Sequence, residues 1–356
     1  MTTGTKFFSL LTIGLVTATM SISSALAENR KPSENEDVTL FRGAANNSYY
    51  EVYFNASPTP GAEDVETETL AVDLRPERDV TVHVEIYNPN GSIPLIVTPG
   101  GMGDCDGFRG FARNVAAAAP ELKVFIWDRR NVGRSDVSFG TDPLTIEEGE
   151  DLHVLIQRLG VGPVALYGMS SGARSNMVLA SRYPKDVAAF VIAPLTGGPI
   201  AAMRLSEEYY LKYLADEKLT TVEHVSEAPL TSMGDVAKTP LWNAYMARNT
   251  PEKQALFLQQ DVDDFRAAMK RSGDHLRTYR NTTALGMTDE QLAELKVPAT
   301  LILHHGSMSD DLHPITNTRA ATTLIQNSRF EIAPHLPQIL DALLPFVKEH
   351  TPASKL

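Results

Sequence analysis

Apolar and polar positions along this chain follow two rhythms. Residues 49–54 and 80–87 alternate apolar with polar side chains, the period of half-buried strands, and 67–74 is a further strand between them. From residue 93 the pattern changes. Residues 94–98 form a short continuous apolar run, as expected of a strand covered on both faces, and 122–127 form a second. Helical composition at 108–118, 146–159 and 172–182 is interleaved with strand patterns at 164–167 and 187–192. The alternation resumes late, with a strand at 300–303, a helix at 316–325, a strand at 330–333 and a closing helix at 339–348. Such regular alternation predicts an α/β fold, a mostly parallel sheet with helices on both faces.

Residues 197–297 break the rhythm. They carry no strand pattern, are too long for a simple crossover, and are rich in helix formers at 203–215, 241–247, 251–258 and 262–270. The expected organisation is a core in two parts, 28–196 and 298–356, with 197–297 inserted as a helical cap over the C-terminal edge of the sheet. Met203, Tyr209, Tyr210, Tyr213, Trp242, Tyr245 and Met246 of that cap either line an apolar pocket or pack the cap onto the core.

The N-terminus reads as an address. Lys6 precedes an almost wholly apolar stretch, and Ala25-Leu26-Ala27 supplies the small-x-small pattern of a cleavage site, so residues 1–27 are expected to be a signal peptide for secretion or the periplasm. The C-terminal Ser354-Lys355-Leu356 is a conflicting, peroxisomal address, outweighed by the three coordinated parts of the N-terminal signal. Cys105 is the one cysteine, which rules out an intrachain disulfide. The formal net charge of −12 disfavours nucleic acid and anionic lipid as partners. No later segment is apolar enough for a stable membrane anchor, and a small, neutral or apolar molecule is the expected partner.

The chemistry is concentrated at Gly168-Met169-Ser170-Ser171-Gly172, a G-x-S-x-G between a predicted strand and a predicted helix. A turn this sharp leaves no room for side chains two residues either side of the nucleophile, and it lifts the Ser170 hydroxyl clear of the sheet at a helix N-terminus. Ser171 lacks the flanking glycines. Its expected contribution is a backbone N–H to an oxyanion hole.

In this setting the chain resembles the α/β-hydrolase superfamily, and the resemblance covers most of 93–194 plus the C-terminal strands. Thr98-Pro99-Gly100-Gly101-Met102-Gly103 stands where the superfamily carries its His-Gly oxyanion loop, with Gly100 in place of the histidine. The resemblance implies that Gly101 or Met102 supplies the second oxyanion amide. Residues 127–136, Trp-Asp-Arg-Arg-Asn-Val-Gly-Arg-Ser-Asp, look like the D-x-R-G-x-G-x-S loop, read as a brace for turns near the site. His304-His305-Gly306 through Asp310-Asp311-Leu312-His313-Pro314 looks like the acid turn; counting back from Pro314 gives Asp310 as the acid, with Asp311 as runner-up. His335, between the last strand and the closing helix, occupies the superfamily's position for the general base. His313 lies too close to the acid in sequence for that role. The clustered histidines and aspartates also invite a metal site, but they lack helical H-x-x-x-H spacing, so neither metal nor cofactor is expected.

The resemblance implies a serine hydrolase using Ser170, His335 and Asp310 on a carboxylic ester or lactone through an acyl-enzyme. Residues 99–105 with 170–173 are locally similar to zearalenone-type lactonases, although those take their acid from the position that Pro194 fills here. The same loop resembles the entrance of proline iminopeptidases. A carbon–carbon (diketone-type) hydrolase, an aminopeptidase and a non-catalytic binding protein on this fold are the alternatives.

Overall fold

The computed structural model describes residues 58–101, 103–209 and 230–353. The proposed signal peptide, the strand expected at 49–54, Met102, Tyr210, Tyr213 and the C-terminal tripeptide lie outside these residues. Eight strands, β1 (Thr67–Asp73), β2 (Thr81–Tyr87), β3 (Ile93–Thr98), β4 (Leu122–Trp127), β5 (Val164–Gly168), β6 (Val187–Ile192), β7 (Thr300–His304) and β8 (Ser328–Ile332), form one sheet. Their order is β1-β2-β4-β3-β5-β6-β7-β8. β2 pairs antiparallel with β1 and β4, and every other pairing is parallel.

The apolar runs explain the layering. All of β5 and β6 is buried, whereas the edge strands β1 and β8 are largely exposed or half-buried. One face is covered by α1 (Cys105–Ala118) and, near the end of the chain, by a helix over Leu336–His350; Phe108, Phe111, Leu343 and Phe346 pack there against Leu95 and Val191. The other face is covered by α2 (Leu144–Leu159) and α3 (Ser171–Arg182), through Leu152, Leu155, Met177 and Leu179. Successive connections run one way from β3 to β4 and the other way from β5 to β6. The crevice at the C-terminal ends of β3 and β5 is therefore the topological switch point, where open α/β sheets hold their ligands.

Between β6 and β7 the described residues form helices: α4 (Gly198–Tyr209), α5 (Met233–Lys238), α6 (Pro240–Arg248), α7 (Pro251–Leu258), α8 (Val262–Thr278) and α9 (Asp289–Ala293). The chain then closes with α10 (Ile315–Leu324) and α11, the Leu336–His350 helix already placed on the sheet. The short helices α5 and α9 were not expected from the hydrophobic pattern. Both are set by polar caps: Ser232 accepts from the Asp235 N–H, and Thr288 forms a reciprocal capping box with Gln291.

The inserted helices sit on loops that leave the C-terminal strand ends. The Tyr245 hydroxyl donates to the Ser135 carbonyl, the Asn249 amide donates to Gly133, and Arg248 pairs with Asp104. Trp242 and Tyr245 are buried with Phe139, Phe257 and Phe265, and Met246 and Tyr209 pack against that cluster. Phe139 belongs to the core segment, so these aromatics pack the inserted helices onto it; Met203, in contrast, is 53% exposed.

Beneath the site lies a buried ion-pair network. Asp151 on α2 accepts from Arg130 Nε at 2.6 Å and from Arg78 Nε at 2.8 Å, and Arg130 reaches on to Asp79. Arg130 and Asp151 are both fully buried side chains. Breaking such a pair strands the remaining charge away from water. Asp151→Leu is expected to cost about 3 kcal/mol or more of unfolding free energy, read from the shift of the urea midpoint.

Candidate active site

Ser170 occupies the turn between β5 and α3 with φ 51° and ψ −112°, a conformation that non-glycine residues rarely adopt. The elbow depends on its two glycines. A β-carbon at Gly168 would meet the Ala173 backbone at 2.5 Å, and one at Gly172 would run into the Thr98 and Pro99 carbonyls. Strand β3 and helix α3 therefore touch through bare backbone. Gly100 is constrained in the same way, since a β-carbon there would meet the Met169 carbonyl at 2.8 Å. That contact accounts for glycine where the superfamily has histidine.

The Ser171 N–H is the first amide of α3, one of the donors that a helix leaves without an internal partner, and it lies next to the nucleophile. The Ser171 hydroxyl is already engaged, donating to the Gly101 carbonyl at 3.0 Å. The same carbonyl accepts from Arg129, whose other nitrogen reaches Glu148 at 3.0 Å. Gly101 itself has φ 57°. The 127–136 loop thus does brace the oxyanion loop: Asp128 accepts from the Cys105 N–H at 2.6 Å and the Arg134 N–H at 2.8 Å, while Arg129 ties Gly101 to α2 and α3.

The histidine beside Ser170 is not the one expected from the sequence. His313 Nε2 lies 2.9 Å from Ser170 Oγ, and His313 Nδ1 lies 2.8 Å from Asp310 Oδ2. His335 is exposed, stands at the N-cap position of α11 without a side-chain capping bond, and is absent from the hydrogen bonds of Asp310 and Ser170. Asp310 and His313 therefore share one loop, the one that follows β7. A separation of three residues works because the aspartate folds the loop around itself. Asp310 Oδ1 accepts from the backbone N–H groups of Leu312 and His313 at 2.9 and 3.1 Å, which turns the His313 ring over Oδ2. Asp311, the alternative acid, points away and pairs with Arg204 of α4 at 3.2 Å.

Burial opposes the Asp310 charge, but hydrogen bonds from His305 and His313 and from the loop backbone win, holding its carboxyl well below the usual carboxylate range. An ionised carboxylate only accepts. The His313 proton must then sit on Nδ1, leaving the Nε2 lone pair to the Ser170 hydroxyl. His304, buried at the end of β7, accepts from the Gly306 N–H at 2.9 Å through Nδ1 and donates its Nε2–H to the His313 carbonyl at 2.8 Å. The facing atoms of His305, Asp310 and His313 lie within 4.8 Å of one another, close enough for a shared cation, yet both ring nitrogens already meet one aspartate oxygen in hydrogen bonds.

Residues 93–306 match the family described as the alpha/beta hydrolase fold. The chain is 32% identical over 103 residues to the hydrolase YraK of Bacillus subtilis (strain 168), covering 28% of this chain and 37% of that protein. It is 30% identical over 131 residues to ethanol acetyltransferase 1 of Eremothecium cymbalariae, covering 36% and 34%. The chain thus matches little more than a third of the length of either relative. Among solved structures, the lip1 protein of Acinetobacter baumannii AYE superposes with a TM-score of 0.50 at 16% identity, over 86% of this chain and 98% of that one.

A buried histidine, His304, and a half-buried one, His275, tie stability to pH. Burial pushes His304 down to about 4, and burial with the nearby Arg174 charge pushes His275 of α8 down to about 4. Both folded values lie below the ordinary value of 6.5, so the unfolded chain takes up these protons first. Their stabilisation is complete above about 6.5 and is lost as pH falls toward 4. Urea unfolding at pH 7 and at pH 4.5 is expected to show a marked loss, and His275→Phe a smaller one. The Ser170 elbow on β5, the oxyanion loop after β3 and the loop after β7, set on a sheet of this strand order, agree with the family match: the chain belongs to the alpha/beta hydrolase fold family.

Proposed function

We propose that this protein is an exported serine hydrolase that cleaves a carboxylic ester or lactone with Ser170 as nucleophile, His313 as general base and Asp310 as its orienting acid. The observation that carries the reading is the unbroken string from Ser170 Oγ through His313 to Asp310, with contacts of 2.9 and 2.8 Å. His313 takes the serine proton as Oγ attacks the carbonyl carbon, and Asp310 stabilises the imidazolium that forms. The Ser171 N–H, with an amide from Gly101 or Met102, receives the developing oxyanion. The imidazolium gives its proton to the leaving alkoxide oxygen as the C–O bond breaks; an ester's alcohol departs, whereas a lactone's stays attached to the acyl chain. Water, deprotonated by His313, then attacks the acyl carbon, and the imidazolium returns that proton to Ser170 Oγ as the acid is released.

An oxygen nucleophile with a neutral imidazole base suits acyl transfer, and the local likeness to zearalenone-type lactonases supports lactones among the substrates. Export rests on the residue pattern of 1–27, and a small neutral or apolar substrate fits the acidic chain.

Intact mass after exposure to a fluorophosphonate is expected to show one adduct on the wild type and none on Ser170→Ala. His313→Gln should slow labelling and ester hydrolysis by about a thousandfold or more, whereas His335→Gln should stay within about twofold of wild type. Equal loss in both histidine variants, or loss in His335→Gln alone, would sink this assignment. A wild type that is folded but neither labels nor turns over a panel of esters, lactones and a vinylogous diketone would favour the binding-protein alternative. N-terminal sequencing of the exported protein should begin at Glu28.

A further inference from the structure

The acid has a second histidine. His305 Nε2 lies 2.9 Å from Asp310 Oδ2, the same oxygen that faces His313. Its other nitrogen, Nδ1, accepts the Ser307 N–H at 3.1 Å. An acceptor at Nδ1 places the ring proton on Nε2, so the neutral His305 donates to Asp310. The His305 side chain is buried, as are those of Asp310 and His313, and its ring stacks on His304 with centroids 4.3 Å apart. Its rotation is therefore restricted on both sides.

We propose that His305 is a positioning residue for the reaction, acting through Asp310 to set the orientation and basicity of His313. The proposal rests on the Ser170–His313–Asp310 reading given above. Asp310 Oδ2 is divided between two ring N–H donors, so part of its negative charge is drawn toward His305. With that donor removed, the carboxylate faces His313 alone, favours the imidazolium more strongly and raises the pH at which His313 becomes an effective base. Among the described residues, the ionisable groups near this pair include His304 on β7 and the Arg204–Asp311 pair where α4 meets the loop. His305 stacks on His304, so His305→Phe is chosen to keep a ring in that contact.

Two variants separate charge-sharing from packing. His305→Phe keeps a ring on His304 but removes the donor, and His305→Gln keeps a donor at about the reach of Nε2. The measurement is the pH dependence of the fluorophosphonate labelling rate and of kcat and KM for an ester that the wild type hydrolyses. In His305→Phe the acidic limb should move up by about half a pH unit or more, with a lower kcat at pH 6 and an unchanged KM. His305→Gln should bring the limb back toward wild type. A limb that stays in place or moves down in a folded His305→Phe overturns the proposal while leaving the triad standing. A wild type that does not label, or that labels equally after His313→Gln, overturns the triad and this proposal with it.

Discussion

Burying a carboxylate is costly unless its lone pairs are filled, and the candidate site is organised around one that is. Asp310 takes two backbone N–H donors from its own loop and two imidazole donors, from His305 and His313. The backbone pair shapes the loop after β7, and that shape delivers His313 to Ser170. Without an ionised Asp310 the His313 proton would be free to occupy either nitrogen, and the serine would lose its acceptor. Position, tautomer and charge at the nucleophile thus all follow from one side chain.

The rest of the fold supplies fixed points for that loop. The switch between β3 and β5 opens a crevice, and the strained elbow at Ser170 projects into it because glycines at 168 and 172 let α3 lie against the end of β3. Arg129 draws the oxyanion loop onto α2 and α3, and the buried pair of Arg130 with Asp151 anchors the segment that carries it. From above, α4 reaches the acid–base loop through Arg204 and Asp311, and the Gly197 N–H donates to the Leu312 carbonyl at 3.3 Å. The inserted helices are thus coupled to the loop after β7, while their aromatics pack against Phe139 and the 135–144 segment.

Much of this was legible in the chain because buried parallel strands write themselves as apolar runs; β4 and β6 fall where the pattern places them, to the residue. The elbow was legible because its glycines answer a steric need that no other residue meets. The histidine beside Ser170 was not. Sequence logic follows the superfamily, which puts a general base after the last strand, where His335 stands; the closing helix instead begins directly after that residue and leaves it at an exposed N-cap. His313 was set aside as too near the acid, a sound objection for an extended loop. It fails here because two backbone amides converge on Asp310 and fold the loop back, and backbone hydrogen bonds leave no mark on residue type. The one signal available was the pairing of His313 with Pro314 at the start of α10, three residues beyond an aspartate.

The most direct test is a crystal structure of the protein after covalent reaction of Ser170 with a fluorophosphonate. The account predicts the His313 imidazole beside the modified Oγ, its Nδ1 on Asp310, with His335 at the surface. Finding His335 beside the adduct, with His313 turned away from Asp310, would contradict it.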